Sequence, residues 1–261
     1  MSKSNTVNGT DRQGMSKAEQ RIYFALANDG NKLFDIGLIR SYGLCGEGML
    51  KQTLASMVKK GWLVRIKKGM YTLDKSADPF KIGPYVFGGY VAFSSALYVY
   101  GVFDEMPSVV YVANIGISSK KRIGNIEIQG VALHRRAVGF VAYMGYTVSS
   151  KAKTLYDCFY MPENAGGYSK VLRAISMLKL EAGDWKEFLS YVRTFGSPSF
   201  MRRVGYMLES LNGIGRFVPR YVITGLNRKG GVARLGSGRH GAYIRKWNIV
   251  DYVGMETLLG F

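Results

Sequence analysis

The stretch GWLVRIKKGMYTLDK, Gly61 to Lys75, limits the fold more than any other part of this chain. Trp62, Val64 and Ile66 alternate with Leu63, Arg65 and Lys67. Apolar residues resume at Met70, Tyr71, Thr72 and Leu73 after Lys68-Gly69, which is the period-two signal of two strands around a tight turn. Gly69 can take the positive φ that such a turn requires. The hairpin holds Lys67 and Lys68 at an exposed tip. Taken alone, lysines there only keep an edge soluble; the segments before the hairpin suggest a further use.

Ser16 with Glu19 three residues on has the form of a capping box, and Ile22, Phe24/Ala25 and Leu26 give the helix that follows a buried face until Asp29-Gly30-Asn31. Phe34, Ile36, Leu38 and Ile39 form a second apolar segment closed by Tyr42-Gly43. A third runs from about Gly46 to Lys60. In it Met49 or Leu50, Leu54, and Met57 with Val58 share one helical face and leave Lys51, Gln52, Ala55, Ser56 and Lys59 on the other. Three helices and a two-stranded wing are the order of a winged helix-turn-helix domain, expected over residues 15–75. Its third helix enters a major groove while the wing lies on the flanking backbone. Arg65, Lys67 and Lys68 would then neutralise phosphates, and Lys51, Gln52 and Ser56 would meet base edges. Arg40 and Lys59 complete the expected DNA-binding set. Winged helices also serve as protein-binding modules; the charge of this chain favours DNA.

That charge is +18 over 261 residues, with a pI near 9.8, and self-repulsion of this size is usually tolerated where a polyanion is the partner. Nucleic acid is the first candidate and an anionic membrane the second. The longest apolar run, Val91 to Phe103, contains serines and is too short to span a bilayer, so no membrane partner is expected. The first 14 residues read as a disordered tail with no signal-peptide core, and a cytoplasmic location is expected. Cys45 and Cys158 lie far apart and outside any C-x-x-C pair, so neither a disulfide nor a zinc site is expected. His134 and His240 read as structural. No catalytic residue, metal or cofactor is expected, and no D-x-D pair occurs that could hold the metals of nucleotidyl transfer.

Residues 76–89 read as a linker, with Pro79, Pro84 and Gly88-Gly89 as breakers. Beyond it, residues 90–261 read as a mixed α+β domain: a helix from Val91 to Val102, strands from Val109 to Ile115, Asn125 to Arg136 and Gly139 to Val148, then four helices between Lys151 and Leu211, and a glycine-rich, strand-like end. Arg228, Lys229, Arg234, Arg239, Arg245 and Lys246 form a possible second basic surface there. GSGRHG, Gly236 to Gly241, has the glycine spacing of a dinucleotide site but reads as a basic turn between strands, since too little chain follows for the rest of that site. Asp157, among Leu155, Cys158 and Phe159, is costly to bury unpaired, and an ion pair with an arginine such as Arg202 or Arg203 is expected in preference to a catalytic or partner-contacting role.

Several pieces resemble the AbiEi family of abortive-infection antitoxins, from type IV toxin-antitoxin systems: GMYTL, YVAFSSALYVYGVFDEMPSVVYVAN, VSSKAKTLYDCFYMPENAGGYSKVLRAI, FMRRVGYMLESL and IRKWNIV, in that order. One departure is Ala152, where the family usually has an acid two places before Thr-Leu-x-Asp. The resemblance implies an N-terminal winged helix that binds operator inverted repeats in double-stranded DNA and represses its own operon. It also implies a C-terminal domain that helps counter a nucleotidyltransferase toxin without being an enzyme. A solitary regulator with no toxin, or a nucleic-acid-processing enzyme fed by the winged helix, are the alternative readings.

Overall fold

The computed structural model describes residues 14–29, 33–73, 78–123, 126–215, 217–226 and 229–260. The chain is a mixed α+β protein, with three sheets among the described residues. It divides into two compact units at Val86/Phe87, with Ile123 counted with the first. The expected tail lies outside the described residues up to residue 13.

The first unit opens with α1 (Lys17–Asn28), whose capping box forms as expected: the Ser16 hydroxyl accepts from the Glu19 N–H and the Glu19 carboxylate accepts from the Ser16 N–H. Strand β1 (Phe34–Asp35) leads into α2 (Ile36–Ser41), capped by Asp35, and α3 (Glu47–Lys59) follows. Strands β2 (Leu63–Lys67) and β3 (Met70–Leu73) make the expected hairpin, and β1 extends it to a sheet of order β1-β3-β2. Ile22, Leu26, Phe34, Ile39, Leu50, Leu54, Met57, Leu63 and Tyr71 form the core. Strict alternation fails in β2. A register shift between Arg65 and Lys67 inserts Ile66, so Leu63 and Ile66 are buried while Val64 is half-buried.

The expected linker contains a helix, α4 (Pro79–Phe87). Pro79 starts it instead of breaking it, because the first turn has no use for that N–H, and the Asp78 carboxylate accepts from the Phe80 N–H at 2.9 Å. Pro84 lies inside the helix. Residues 74–77 lie outside the described residues.

The second unit begins with β4 (Gly89–Val91) and α5 (Phe93–Val99), where the sequence predicts a single helix. Strands β5 (Val109–Asn114), β6 (Ser119–Ile123), β7 (Ile126–Ala132), β8 (Phe140–Tyr143) and β9 (Tyr146–Ser149) join β4 in a six-stranded mixed sheet of order β6-β7-β5-β4-β9-β8. Helices α6 (Lys151–Tyr160), α7 (Tyr168–Met177), α8 (Ala182–Phe195) and α9 (Pro198–Gly213) lie close to the expected spans. The chain then forms α10 (Arg220–Thr224), a small sheet of β10 (Ala233–Leu235), β11 (Ala242–Ile244) and β12 (Ile249–Asp251), and α11 (Met255–Leu259). Trp247, fully buried, anchors the small sheet to α9: its indole N–H donates to Glu209 at 2.8 Å, and its ring lies where a β-carbon on Gly205 would come within 2.2 Å. Among the described residues, no helix is long and apolar enough to cross a membrane.

Candidate nucleic-acid interface

Lys51, Ala55, Val58 and Lys59 recur on α3 at the spacing of one helical face. This face and the hairpin form the two walls of a cleft of about 790 Å³. Arg65, Lys68, Gly69 and Tyr71 line it from the hairpin and Ile36 from α2. The turn is held in place by local geometry. Gly69 has φ +76°, and its carbonyl accepts from the Ile36 N–H at 2.8 Å, which pins the hairpin tip to the start of α2. The lining combines the cations Lys51, Lys59, Arg65 and Lys68 with an apolar floor and contains no carboxylate. Lys51, Lys59 and Lys68 are exposed and have no ion-pair partner among the described residues. A polyanion fits this charge.

The other expected DNA-binding residues are placed differently. Lys67 and Gln52 are exposed but do not line the cleft. Arg40, in the last turn of α2, pairs with Glu47 at 3.0 Å, both side chains largely in solvent. Ser56 does not face outward: its hydroxyl donates to Glu19 at 2.7 Å. Glu19, only 3% exposed, also receives Lys60 at 2.7 Å. Burial alone would raise its pKa, but Lys60, the Ser16 N–H and the Ser56 hydroxyl prevail and lower it to about 2. Glu19 therefore ties α1 to the end of α3 and engages the Ser56 hydroxyl within the fold.

In the second unit the described candidate basic residues lie on the small sheet and beside it. Arg234 lies on β10, Arg239 in the loop after it, and Arg245 in the turn before β12, all exposed. Lys229 is exposed, and its carbonyl accepts from Arg202. Lys246 pairs with Glu209. Arg228 lies outside the described residues. GSGRHG occupies the expected turn, between β10 and β11.

Asp157 is fully buried, and its partner is neither arginine expected from the sequence. Lys153, one turn earlier on α6 and equally buried, holds it. Arg202 instead donates to the carbonyls of Lys229 and Gly231, and Arg203 to the Ser199 hydroxyl and the Arg234 carbonyl. The rings of Tyr156, Tyr90 and Tyr191 surround the Lys153 ammonium at 5.2, 5.9 and 5.9 Å. Burial raises the Asp157 pKa to about 6 against the pull of Lys153, and burial lowers that of Lys153 against the pull of Asp157. No solvent reaches either group, so the pair serves the fold. His134, at φ +51° in a short 3-10 turn, and His240, in the β10–β11 loop, are both exposed and join no such cluster.

The fold and the cleft define a two-unit α+β protein whose smaller unit presents a cationic groove beside a helix. No family model matches the chain. Its fold is similar to that of the RV2827C protein from Mycobacterium tuberculosis, with a TM-score of 0.66 and 14% identity over 95% of this chain and 96% of that one. In sequence, 103 residues are 26% identical to the serine/threonine-protein kinase greatwall of Xenopus tropicalis and 24% to that of Xenopus laevis. Those residues are 38% of this chain, and the match spans only 11% of each kinase. Neither of the HRD and DFG motifs that supply a kinase's base and Mg²⁺ ligand occurs in the sequence; the nearest form is His134-Arg135-Arg136.

Proposed function

We propose that the first unit is a winged helix that binds duplex DNA with α3 in the major groove and the β2–β3 hairpin on the flanking backbone, and that the chain is an AbiEi-type antitoxin repressing its own operon. The observation that carries the DNA reading is the cleft, where cations from α3 and from the hairpin converge with no carboxylate among them. The antitoxin reading rests on the ordered sequence pieces that resemble that family. In this reading the protein is not an enzyme, and it opposes a nucleotidyltransferase by binding it, its substrate or its gene.

The DNA reading is tested by titrating a labelled duplex that carries the repeats upstream of the gene. Replacing Lys51, Lys59 and Lys68 with Ala is expected to weaken binding and to flatten the plot of log K against log salt by about 0.9 for each phosphate no longer neutralised. An unchanged slope would remove the cleft from the interface. The antitoxin reading is tested by expressing the full chain and the neighbouring nucleotidyltransferase from unrelated promoters. Restored growth is expected, and failure to restore it would leave a solitary regulator.

A further inference from the structure

The six-stranded sheet ends in two unlike edges. At one end β6 carries Lys120, Lys121 and Arg122, and Lys120 pairs with Glu127 of β7 at 2.9 Å. Charges of this kind keep an edge from pairing with another chain. At the other end β8 reads FVAY. It has no charge, and all of its residues are exposed, Phe140 by 57% and Val141 by 41%. Val138 before it and Met144 after it are exposed as well. The nearest cations in sequence, Arg135 and Arg136, precede the strand, and Arg136 lies over the Tyr160 ring at 4.7 Å.

The rings of Phe140 and Tyr143 lie against Tyr90 and Tyr100, but the outer backbone edge of β8 is open among the described residues. Met144 and Gly145, at φ +48° and +78°, form the two-residue turn to β9, so Tyr143 and Tyr146 close the hairpin as a hydrogen-bonded pair. Antiparallel ladders alternate, which makes Val141 and Val148 the next such pair. The N–H and C=O groups of Phe140 and Ala142 therefore point away from β9. Among the described residues β8 has no second neighbouring strand.

We propose that β8 pairs antiparallel with β8 of a second copy of this chain, Val141 facing Val141 on the two-fold axis, so that the two sheets become one. Register and charge select this occupant. With Val141 on the axis, the outward groups of Phe140 meet those of Ala142 from the copy and the reverse, so every outward group of both strands is satisfied and the assembly closes. Pairing with β6 of the copy would instead seat the apolar strand against Lys120 and Arg122 and leave an edge open for further growth. Two chains of +18 repel each other, so an uncharged strand is the edge on which they can approach.

The test is light scattering after size exclusion on the full chain, over a range of protein and salt concentrations. A monomer–dimer equilibrium is expected, with the dimer favoured by salt because screening relieves the repulsion. Val141→Lys, at an exposed position that leaves the monomer folded by circular dichroism, places like charges opposite each other and is expected to abolish the dimer. Val141→Cys, in a chain that also carries Cys45→Ser, is expected to form a disulfide-linked dimer with oxidised glutathione. The directly opposed α-carbons, roughly 4.5 Å apart, lie within disulfide range. A monomer under all conditions, a dimer indifferent to Val141→Lys, or no disulfide through Cys at 141 would each overturn the proposal.

Discussion

The two units use their cations in opposite ways. In the first, Lys51, Lys59 and Lys68 stand in solvent around one cleft, and the buried acid, Glu19, engages Lys60. In the second, several cations are built into the fold while Arg234, Arg239 and Arg245 stay in solvent: Lys153 sits in a tyrosine cage against Asp157, Arg202 closes a loop through backbone carbonyls, and Lys246 is held by Glu209. The difference shows that a net charge of +18 is not by itself a binding surface. What a polyanion meets is the charge left over after the fold has used its share.

The comparison would break most visibly at Asp157. Asp157→Asn leaves the Lys153 ammonium buried without its counter-charge and is expected to destabilise the second unit by about 3–5 kcal/mol in urea unfolding. Replacing Lys153 with Met and Asp157 with Leu together should recover most of that stability, because the pair is then removed as a whole. A single substitution costing less than about 1 kcal/mol would mean that the cation is not structural.

Next in size is Glu19, which sharpens the comparison through pH. Its folded pKa of about 2 lies below the ordinary 4.5, so its contribution is fully present above 4.5 and is lost as pH falls from 4.5 toward 2. The shift corresponds to on the order of 3 kcal/mol. Asp157 runs the other way, since a pKa raised from 3.8 to about 6 makes its burial cost more as pH rises through that window. Unfolding followed from pH 6 down to pH 2 should show the first unit losing stability only in the lower part of the range, and Glu19→Gln should flatten that decline. A first-unit stability that does not change below pH 4.5 would contradict the Glu19 assignment. The smallest effect belongs to the exposed arginines of the second unit. Replacing Arg234, Arg239 and Arg245 with Ala is expected to change the salt slope of DNA binding by less than the roughly 0.9 of a single neutralised phosphate.

Where periodicity and capping agree, the fold is legible in the sequence. Ser16 with Glu19, the apolar face of α3, the Lys68-Gly69 turn and the helices from Lys151 onward all form near their expected bounds. The differences have local causes. Strand β6, SKKRI, is nearly all polar and carries no alternation that would mark it as a strand. Helix α4 falls where a linker is expected, because proline acts as a breaker except in a first turn. In β2 one inserted residue reverses the parity that the alternation implies. The candidate site is legible in part. Lys51, Lys59, Arg65 and Lys68 meet at one cleft, but Ser56 turns inward because Glu19 does more than cap a helix: its carboxylate has room for the hydroxyl and for Lys60 as well. Asp157 takes Lys153 in place of a distant arginine because the lysine stands one turn away, at a spacing where helix side chains meet.

The close approach of Trp247 to Gly205 also makes the molecule report on itself optically. The chain has three tryptophans: Trp62 half-buried beside Tyr23 in the first unit, and Trp185 and Trp247 buried in the second. An indole pressed on a helix backbone and shielded from water fluoresces toward the blue, and it shifts red once the small C-terminal sheet leaves α9. With Trp185 changed to Phe, the red shift of Trp247 follows that detachment, while Trp62 follows the fate of the hairpin.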